Sequence, residues 1–382
     1  MFLAGRHLTF RAQSMTTLRL IADDLTGALD TAAEFVPLTG AVSVYWNESL
    51  PNAFSGSAAL DSGTREKSAA EATTTVSGMA RHLSPADIAY KKIDSLLRGH
   101  TMAELAACWG VGAWDHCIVA PAFPHEGRIT KRGIQLRREA SGNWTPVSDL
   151  MALATAGGLD VQAGGTKGPL RKGVYLFDAE TNEDLSRIAD CGRAAAGRVL
   201  WCGSAGLAQA LVGRVDAGST AMPRSVLGLF GSDQPVTARQ LAACGRHWIA
   251  LAGGGEASAR VLSNKLERDG VVFASFDLPA GLSGVEAARC IAASLATLLP
   301  HVARPQTLAV AGGETLRAIC NVLGTSRLDA TGQIEPGLPR SILRGGKWDG
   351  VNVVSKSGAF GSDGLWRDLL QANGFELKRA RS

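Results

Sequence analysis

The sequence contains no apolar run long enough to span a bilayer, which argues against membrane insertion. Its first fourteen residues lack the continuous apolar core and the small-residue cleavage site of a signal peptide, and we expect residues 1–16 to be a disordered extension. The seven cysteines form an odd set without CxxC spacing, so neither a zinc site nor a disulfide framework is expected. Reduced thiols are typical of the cytosol, and we therefore expect a cytoplasmic protein.

Common nucleotide and hydrolase fingerprints are also missing. No GxxxxGK[ST] segment occurs, no GxGxxG follows an apolar run, and there is no GxSxG segment. These absences exclude a P-loop enzyme, a standard dinucleotide-binding domain and a hydrolase of the nucleophile-elbow type. Lysine and arginine are scattered and the net charge is only +4, so no basic stripe is available to neutralise nucleic-acid phosphates. We expect neither nucleic acid nor a membrane as a partner.

The sequence does contain a repeated alternation of short Val-, Ile- and Leu-rich runs with amphipathic stretches from Leu18 onward. This alternation is typical of β–α units in a mainly parallel sheet. At 382 residues the chain is long enough for two cores. We therefore predict the α/β class, with two α/β/α domains and mainly parallel sheets. The predicted domains are residues 17–215 and 224–378, with a linker around 214–225.

The apolar runs place the predicted strands. Residues 124–172 interrupt the alternation and are rich in Gly, Pro and charge, which predicts a long loop over the site, with a mobile lid as one interpretation. The predicted strands are 18–22, 41–46, 57–61, 87–93, 116–120, 173–178 and 198–202 in the first half, and 225–231, 247–252, 271–276, 307–311 and 351–355 in the second.

Two adjacent carboxylates, Asp23 and Asp24, end the first predicted strand and precede a turn through Thr26 and Gly27 into a helix. In α/β proteins ligands bind at this carboxyl edge of the sheet. Two carboxylates are more than a helix cap needs, which favours a role in catalysis or binding. The alternative is that Asp24 only caps the helix while Asp23 faces solvent.

A second segment, residues 91–99, also follows a predicted strand and gathers Lys92, Asp94, Ser95 and Arg98. An arginine can hold a carboxylate through two parallel hydrogen bonds, and an aspartate can orient or deprotonate a hydroxyl group. A hydroxy acid is therefore a fitting ligand. The alternative is an internal ion pair at a strand end.

Two further strand ends carry charged or turn-forming residues. Arg65 follows the strand that ends near Asp61, and Phe123 and Arg128 follow the strand that ends at Ala120. A single arginine at a strand end is more often part of a surface ion pair than a ligand contact. The convergence of four such strand ends is what indicates a site.

The second half replaces charged side chains with glycine-rich backbone. One predicted strand ends in Gly231-Ser232, another in the segment 312–315, and a third in Lys356 and the segment 357–361. Backbone N–H groups at a helix start bind phosphate, although a single Gly-Gly turn is explained by tight-turn geometry alone. Three such loops in one half indicate a nucleotide.

These segments, in this order, resemble the four-carbon acid sugar kinase family over nearly the whole chain, from Leu18 to about Trp366. The resemblance rests on eight segments: ADDLTGALD at 22–30, KKIDSLLRG at 91–99, APAFPHEGR at 120–128, FDAET at 177–181, CGSAGLA at 202–208, GSDQPVTARQ at 231–240, GGET at 312–315 and KSGAFGSDGL at 356–365.

The resemblance implies an N-terminal domain that binds the sugar acid and a C-terminal domain that binds ATP, with the active site in the inter-domain cleft. The phosphoryl group is expected to go to the terminal hydroxyl of D-threonate, D-erythronate or a 3-oxo-tetronate. Mg²⁺ is expected with the ATP. The motifs that match the sugar side contain Asp23, Asp24, Arg65, Lys92, Asp94 and Arg98, and those that match the nucleotide side contain Ser232, Gly312, Gly313, Glu314, Thr315 and Gly358.

Among these residues, we expect Asp24 or Asp94 to orient the acceptor hydroxyl and Arg65 or Arg98 to hold the substrate carboxylate. Four departures from the family pattern, at Leu96, His100, Ala359 and His125-Glu126, concern the identity of the substrate. A non-catalytic sugar-acid sensor is the alternative from another class. The sequence leaves open which Asp is the base, which residues bind metal, and whether the protein is a homo-oligomer.

Overall fold

The computed structural model describes residues 15–46, 50–213, 218–231, 234–279 and 281–377. Ser232, residues 214–217 of the expected linker and the expected extension up to residue 14 lie outside the described residues. Within the described ranges the chain is built from alternating strands and helices, and most strand pairs are parallel. The predicted α/β class is confirmed. None of the described helices combines the length and the apolar composition needed to cross a bilayer.

The first half of the chain contributes strands β1 to β11 and helices α1 to α6. The strands are β1 Leu18–Ala22, β2 Val42–Tyr45, β3 Ala58–Asp61, β4 Ile88–Lys92, β5 His116–Ala120, β6 Arg128–Lys131, β7 Ile134–Arg138, β8 Trp144–Asp149, β9 Val161–Ala163, β10 Gly173–Leu176 and β11 Val199–Gly203. The helices are α1 Leu25–Thr39, α2 Ala69–Ala80, α3 Thr101–Val111, α4 Leu150–Ala156, α5 Asn182–Arg193 and α6 Ala205–Val212.

The second half contributes β12 to β18 and α7 to α11. The strands are β12 Val226–Phe230, β13 Trp248–Leu251, β14 Val271–Phe276, β15 Thr307–Ala311, β16 Arg327–Gln333, β17 Pro339–Arg344 and β18 Asn352–Lys356. The helices are α7 Pro235–Ala242, α8 Gly255–Asp269, α9 Gly284–Leu298, α10 Gly313–Leu323 and α11 Leu365–Ala372.

Local sequence explains where several helices begin. Ser68, Thr181 and Ser283 each start a helix with a capping box, in which the hydroxyl accepts from the third helical N–H group and the acidic residue there accepts from the cap N–H group. In α2, α5 and α9 the polar capping residue that precedes the amphipathic run therefore marks the start of the helix.

Among the described residues, fifteen strands form one sheet that runs through both halves, in the order β13-β14-β12-β15-β18-β17-β16-β2-β3-β1-β4-β11-β5-β10-β9. The two halves join where β2 pairs with β16 in the antiparallel sense, and β17 pairs antiparallel with both β16 and β18. The sequence pattern did not predict this junction. One hydrophobic cluster also spans it, with Phe35 and Val44 from the first half and Leu316 and Leu328 from the second.

The expectation of a long loop over residues 124–172 is wrong. Strands β6, β7 and β8 form a separate antiparallel sheet, and α4 follows with Leu150 fully buried. Thr130 and Ala179 exchange two backbone hydrogen bonds of 2.9 and 3.0 Å, which fasten this small sheet to the strand-end segment after β10. The prediction failed because the strands of exposed hairpins alternate between buried and solvent-facing residues. Such strands are polar and contain no continuous apolar run, so residues 124–172 resemble a loop in sequence.

A buried ion pair supports the first half from within. The Lys91 ammonium lies 2.8 Å from Glu104 Oε2, and both side chains are 1% exposed. Burial lowers the pKa of Lys91, but the charges of Glu104 and Asp23 outweigh it and raise the pKa above its usual value. Thr64 Oγ1 donates to Glu104 Oε1 at 2.6 Å, so the pair also holds the loop that carries Arg65.

Removing one member of this pair leaves the other charge buried without a partner. We expect Glu104→Leu to lower the free energy of unfolding by about 3–5 kcal/mol, and the double change Lys91→Met with Glu104→Leu to recover most of that loss. Urea titration followed by tryptophan fluorescence measures both values. A loss below about 1 kcal/mol in the single variant would show that water reaches the pair.

Candidate functional site

A cavity of about 220 Å³ is lined by residues of both halves of the chain. The first half contributes charged side chains from the ends of β1, β3, β4 and β5, and the second half contributes the loops after β16 and β18. Nine residues expected from the sequence line it: Asp24, Arg65, Lys92, Asp94, Ser95, Arg98, Phe123, Arg128 and Lys356. The convergence of the four strand ends follows from the strand order β3-β1-β4-β11-β5, which sets their carboxyl ends side by side.

Arg65 is the central cation of the first half. Its Nε and Nη2 donate to the two carboxylate oxygens of Asp23, both at 2.9 Å, and Nη1 donates to Asp24 Oδ2 at 2.6 Å. Nη2 also lies 3.7 Å from Asp94 Oδ2. Burial raises the pKa of Asp23, but the charge and hydrogen bonds of Arg65 outweigh it and hold the pKa below its usual value. Arg65 therefore keeps Asp23 ionised and holds both carboxylates in a fixed geometry.

One alternative from the sequence was that Asp24 only caps helix α1 while Asp23 faces solvent. Asp24 does cap α1, but Asp23 does not face solvent. Asp24 Oδ1 accepts from the Gly27 N–H group at 2.9 Å, and Oδ2 accepts from the Thr26 hydroxyl at 2.8 Å. Asp23 is only 4% exposed and lies behind the cavity wall against Arg65. The cap and the charge cluster are thus one structure.

Asp94 organises the loop after β4. Its Oδ1 accepts from the Leu96 N–H group at 2.9 Å, and its Oδ2 accepts from Arg98 Nη2 at 2.6 Å. Burial raises the pKa of Asp94, but Arg98, Lys92 and Arg65 outweigh it and hold the pKa well below its usual value. Leu97 adopts a φ of 60°, which is unfavourable for a side chain of this kind. The loop therefore holds its shape at the expense of local strain.

Lys92 differs from the other cations of the cavity, because its ammonium makes no hydrogen bond or ion pair with any described residue. The residue is 7% exposed. Its Nζ lies 3.3 Å from the position that a Cβ on Gly27 would occupy, so it sits beside the first turn of α1. A buried ammonium without a fixed partner, next to a helix N-terminus, is suited to an anionic ligand group.

The glycine loops of the second half lie next to one another, because β12, β15 and β18 are neighbours in the sheet. Gly312 precedes α10 with a φ of 98° and without a side-chain cap, so the first N–H groups of α10 have no side-chain partner at the cap. A Cβ on Gly313 would lie 3.4 Å from Thr26 Oγ1. The start of α10 thus approaches the acidic turn that opens α1.

Lys356 ends β18 and is 1% exposed. Its Nζ donates to the carbonyl oxygens of Ser357 and Gly358, at 3.0 and 3.1 Å. Burial lowers the pKa of Lys356 to about 8. The side chain shapes the loop that follows it and places a cation at the cavity wall.

The remaining expected nucleotide residues lie near the cavity or outside the described residues. Gly312, Gly313, Glu314, Thr315 and Gly358 do not line it, and Ser232 is not described. Sequence reasoning missed Asp30, Glu126, Ser204, Gly337 and Phe360, which do line it. For Asp30 a signal existed, since it lies four residues after Thr26 and therefore on the same face of α1.

The arrangement can bind a small anion and orient a hydroxyl group, with phosphate-binding backbone close by. Among the described residues, no group of three or more His, Cys, Asp or Glu side chains could hold a metal ion alone. Mg²⁺ in phosphoryl-transfer sites is held mainly by phosphate oxygens, water and one or two carboxylates. The residues present fit an ion that arrives with a nucleotide.

Two family models match the chain. One, described as a sugar-binding N-terminal domain, matches residues 18–152, and the other, described as a nucleotide-binding C-terminal domain, matches residues 227–365. The D-threonate kinase of Cupriavidus necator is 32% identical, over 91% of this chain and 96% of its own. The D-threonate kinase of Bordetella bronchiseptica is 29% identical, over 92% of this chain and 96% of its own.

Solved structures show the same fold. A protein of Salmonella typhimurium LT2 superposes with a TM-score of 0.71 at 21% identity, over 94% of this chain and all of that one. A Haemophilus influenzae protein superposes with a TM-score of 0.66 at 18% identity, over 93% of this chain and all of that one. From the near full-length match to the Cupriavidus necator enzyme and the two domain models, this kinase belongs to the four-carbon acid sugar kinase family.

Proposed function

We propose that the protein transfers the γ-phosphoryl group of ATP to the terminal hydroxyl of a four-carbon sugar acid, D-threonate or D-erythronate. The observation that carries this proposal is the cavity, in which paired carboxylates and an unpaired lysine from the first half meet the Lys356 loop of the second. Its volume of about 220 Å³ is below the ~300–1,000 Å³ of sites for drug-sized ligands. It therefore suits a molecule of a few carbon atoms rather than a whole nucleotide.

The substrate carboxylate is assigned to Lys92 and Arg98. Arg65 is already bound by two carboxylates, so it acts as a positioning residue, whereas the Arg98 side chain is 59% exposed and can reach a ligand. Asp24 and Asp94 orient the acceptor hydroxyl. Ser95, Phe123 and Arg128 form the rest of the substrate wall.

The nucleotide is assigned to the second half. The N–H groups at the start of α10, the segment 312–315, Ser232, Gly358 and Lys356 bind the phosphates, and Mg²⁺ bound with ATP neutralises their charge. This assignment divides the chain into a sugar-acid domain, residues 17–215, and a nucleotide domain, residues 224–378, with transfer at their junction. Phosphoryl transfer requires mainly positioning and charge stabilisation, which these groups supply.

An ADP-release assay across D-threonate, D-erythronate, L-threonate and 3-oxo-tetronates tests the proposal. We expect ADP release above the ATP-only background with D-threonate or D-erythronate. Preference for a 3-oxo-tetronate would change the substrate but not the reaction. The absence of ADP release with every acid, in protein that binds both ATP and an acid by calorimetry, would identify a sensor instead.

Asp24→Asn is expected to lower kcat by about 100-fold or more, because the amide cannot accept from Arg65, Thr26 and the acceptor hydroxyl in the same way. The dissociation constant for ATP should stay within a few fold, since Asp24 belongs to the sugar-acid side. Steady-state kinetics and calorimetry measure the two effects. If the variant kept a kcat near that of wild type, Asp24 would serve only as a helix cap.

Lys92→Met is expected to raise KM for the sugar acid about tenfold or more, which is roughly 1.4 kcal/mol, because the variant lacks the unpaired ammonium. ATP binding should change little. Lys67→Met, which alters an exposed lysine, is the control and should leave both constants unchanged. Equal KM values for Lys92→Met and wild type would remove Lys92 from the substrate site.

A further inference from the structure

Asp30 lines the cavity from α1, on the same face as Thr26. Its Oδ1 is buried and has no hydrogen-bond partner. Buried polar atoms are nearly always paired, and an unpaired one is explained by strain, by a missing solvent or ligand partner, or by a role in catalysis. Because this oxygen belongs to a carboxyl group at the wall of the substrate cavity, a ligand hydroxyl is the natural missing partner.

The other three carboxylates that line the cavity, Asp24, Asp94 and Glu126, all accept hydrogen bonds, Glu126 from Arg128 Nη1 at 3.1 Å. Asp24 accepts from the Gly27 N–H group, the Thr26 hydroxyl and Arg65. Both oxygens of Asp94 are bonded, and its pKa is held well below the usual range. Carboxylates with their oxygens bonded in this way can orient a hydroxyl, and the lowered pKa of Asp94 makes that group a poor proton acceptor, since the best general base has a pKa near the working pH.

The surroundings of Asp30 have the opposite effect on its proton affinity. Burial, together with the charges of Glu126 and Asp24, raises the pKa of Asp30 to about 6. The Lys92 ammonium and the Gly337 backbone N–H group lower it. Glu34 follows one turn later on α1, but its carboxylate is occupied by Gln209 and Gln333, at 2.8 Å each.

We propose that Asp30 is the general base of the phosphoryl transfer, an assignment that rests on the proposed function. The acceptor hydroxyl donates its hydrogen bond to Asp30 Oδ1. As the hydroxyl oxygen forms its bond to the γ-phosphorus, the bond from that phosphorus to the β–γ bridging oxygen breaks, and its electron pair leaves with ADP. The hydroxyl proton moves to Asp30 and returns to solvent when the products leave.

Asp30→Asn tests this assignment through kcat and its pH profile. In wild type, kcat should rise with pH through the Asp30 pKa of about 6, because the base must be ionised. In the variant we expect kcat to fall about 100-fold or more, with a residual rate that no longer rises between about pH 5 and 8. A rise caused by titration of ATP instead of Asp30 would persist in the variant, so the variant distinguishes the two causes. Dissociation constants for ATP and acid should stay within about threefold.

Three matched variants sharpen the result. Asp30→Glu keeps a carboxylate, so it should retain the rise of kcat with pH, the acid limb of the profile, with an intermediate kcat. Asp24→Asn should lower kcat but keep the limb, because Asp30 remains. Glu34→Gln makes the same chemical change one turn further along α1, outside the cavity lining, and should leave kcat within about threefold and the limb in place.

The Asp30→Asn variant is expected to fold. The pKa of Asp30 in the folded protein lies above that of an aspartate in the unfolded chain. Ionisation of Asp30 therefore lowers the free energy of unfolding as pH rises between these two pKa values, and the full loss is present at pH 8. The variant should therefore melt at or above the wild-type temperature at pH 8.

Two outcomes would overturn the assignment alone: an active wild type with Asp30→Asn within threefold of its kcat, or a variant that keeps the acid limb. A wild type that releases no ADP with any tetronate would overturn the proposed function and this assignment together. The wild-type arm of the assay separates the two failures.

Discussion

The contact between Arg65 and the carboxylates of Asp23 and Asp24 is the constraint on which the site depends. Two adjacent carboxylates at a strand end repel one another, and burial makes the repulsion larger. One guanidinium bound to both carboxylates offsets this repulsion, fixes the start of α1 and ties the loop after β3 to β1. Asp23 and Asp24 thus have Arg65 as their cation, and the ammonium of Lys92, beside the first turn of α1, stays available to a ligand.

Much of this site followed from sequence, for a physical reason. Buried parallel strands read as short continuous apolar runs, and β5, β14 and β15 begin and end where those runs do. Once the strands are placed, parallel pairing brings their carboxyl ends to one edge, so Asp24, Arg65 and Asp94 could be grouped before any distance was known. The pairing of charges inside the group could not be foreseen. Arg65 was expected as an alternative to Arg98 for the substrate, whereas the structure occupies it with protein carboxylates.

Other features lack a local signal. Strands β16 and β17 are antiparallel and half exposed, and mixed segments such as RLDATGQ and PRSILR carry no continuous apolar run. Their place beside β2 depends on contacts between residues far apart in sequence. The face of α1 that Asp30 shares with Thr26 can be read from the sequence, but its burial and its neighbours Glu126, Lys92 and Gly337, which set its pKa, come from other segments.

The pairing of β2 with β16 also sets an order of events during synthesis. Ser43 and Asp329, which are hydrogen-bonded across this junction, are separated by 286 residues. At about 5–20 residues per second, β2 emerges from the ribosome roughly 14 to 57 s before its partner. For that time the nascent first half carries an unpaired strand edge, a known route to association between chains. Protection of this edge during synthesis therefore influences how much active enzyme a cell obtains, in addition to the stability of the finished protein.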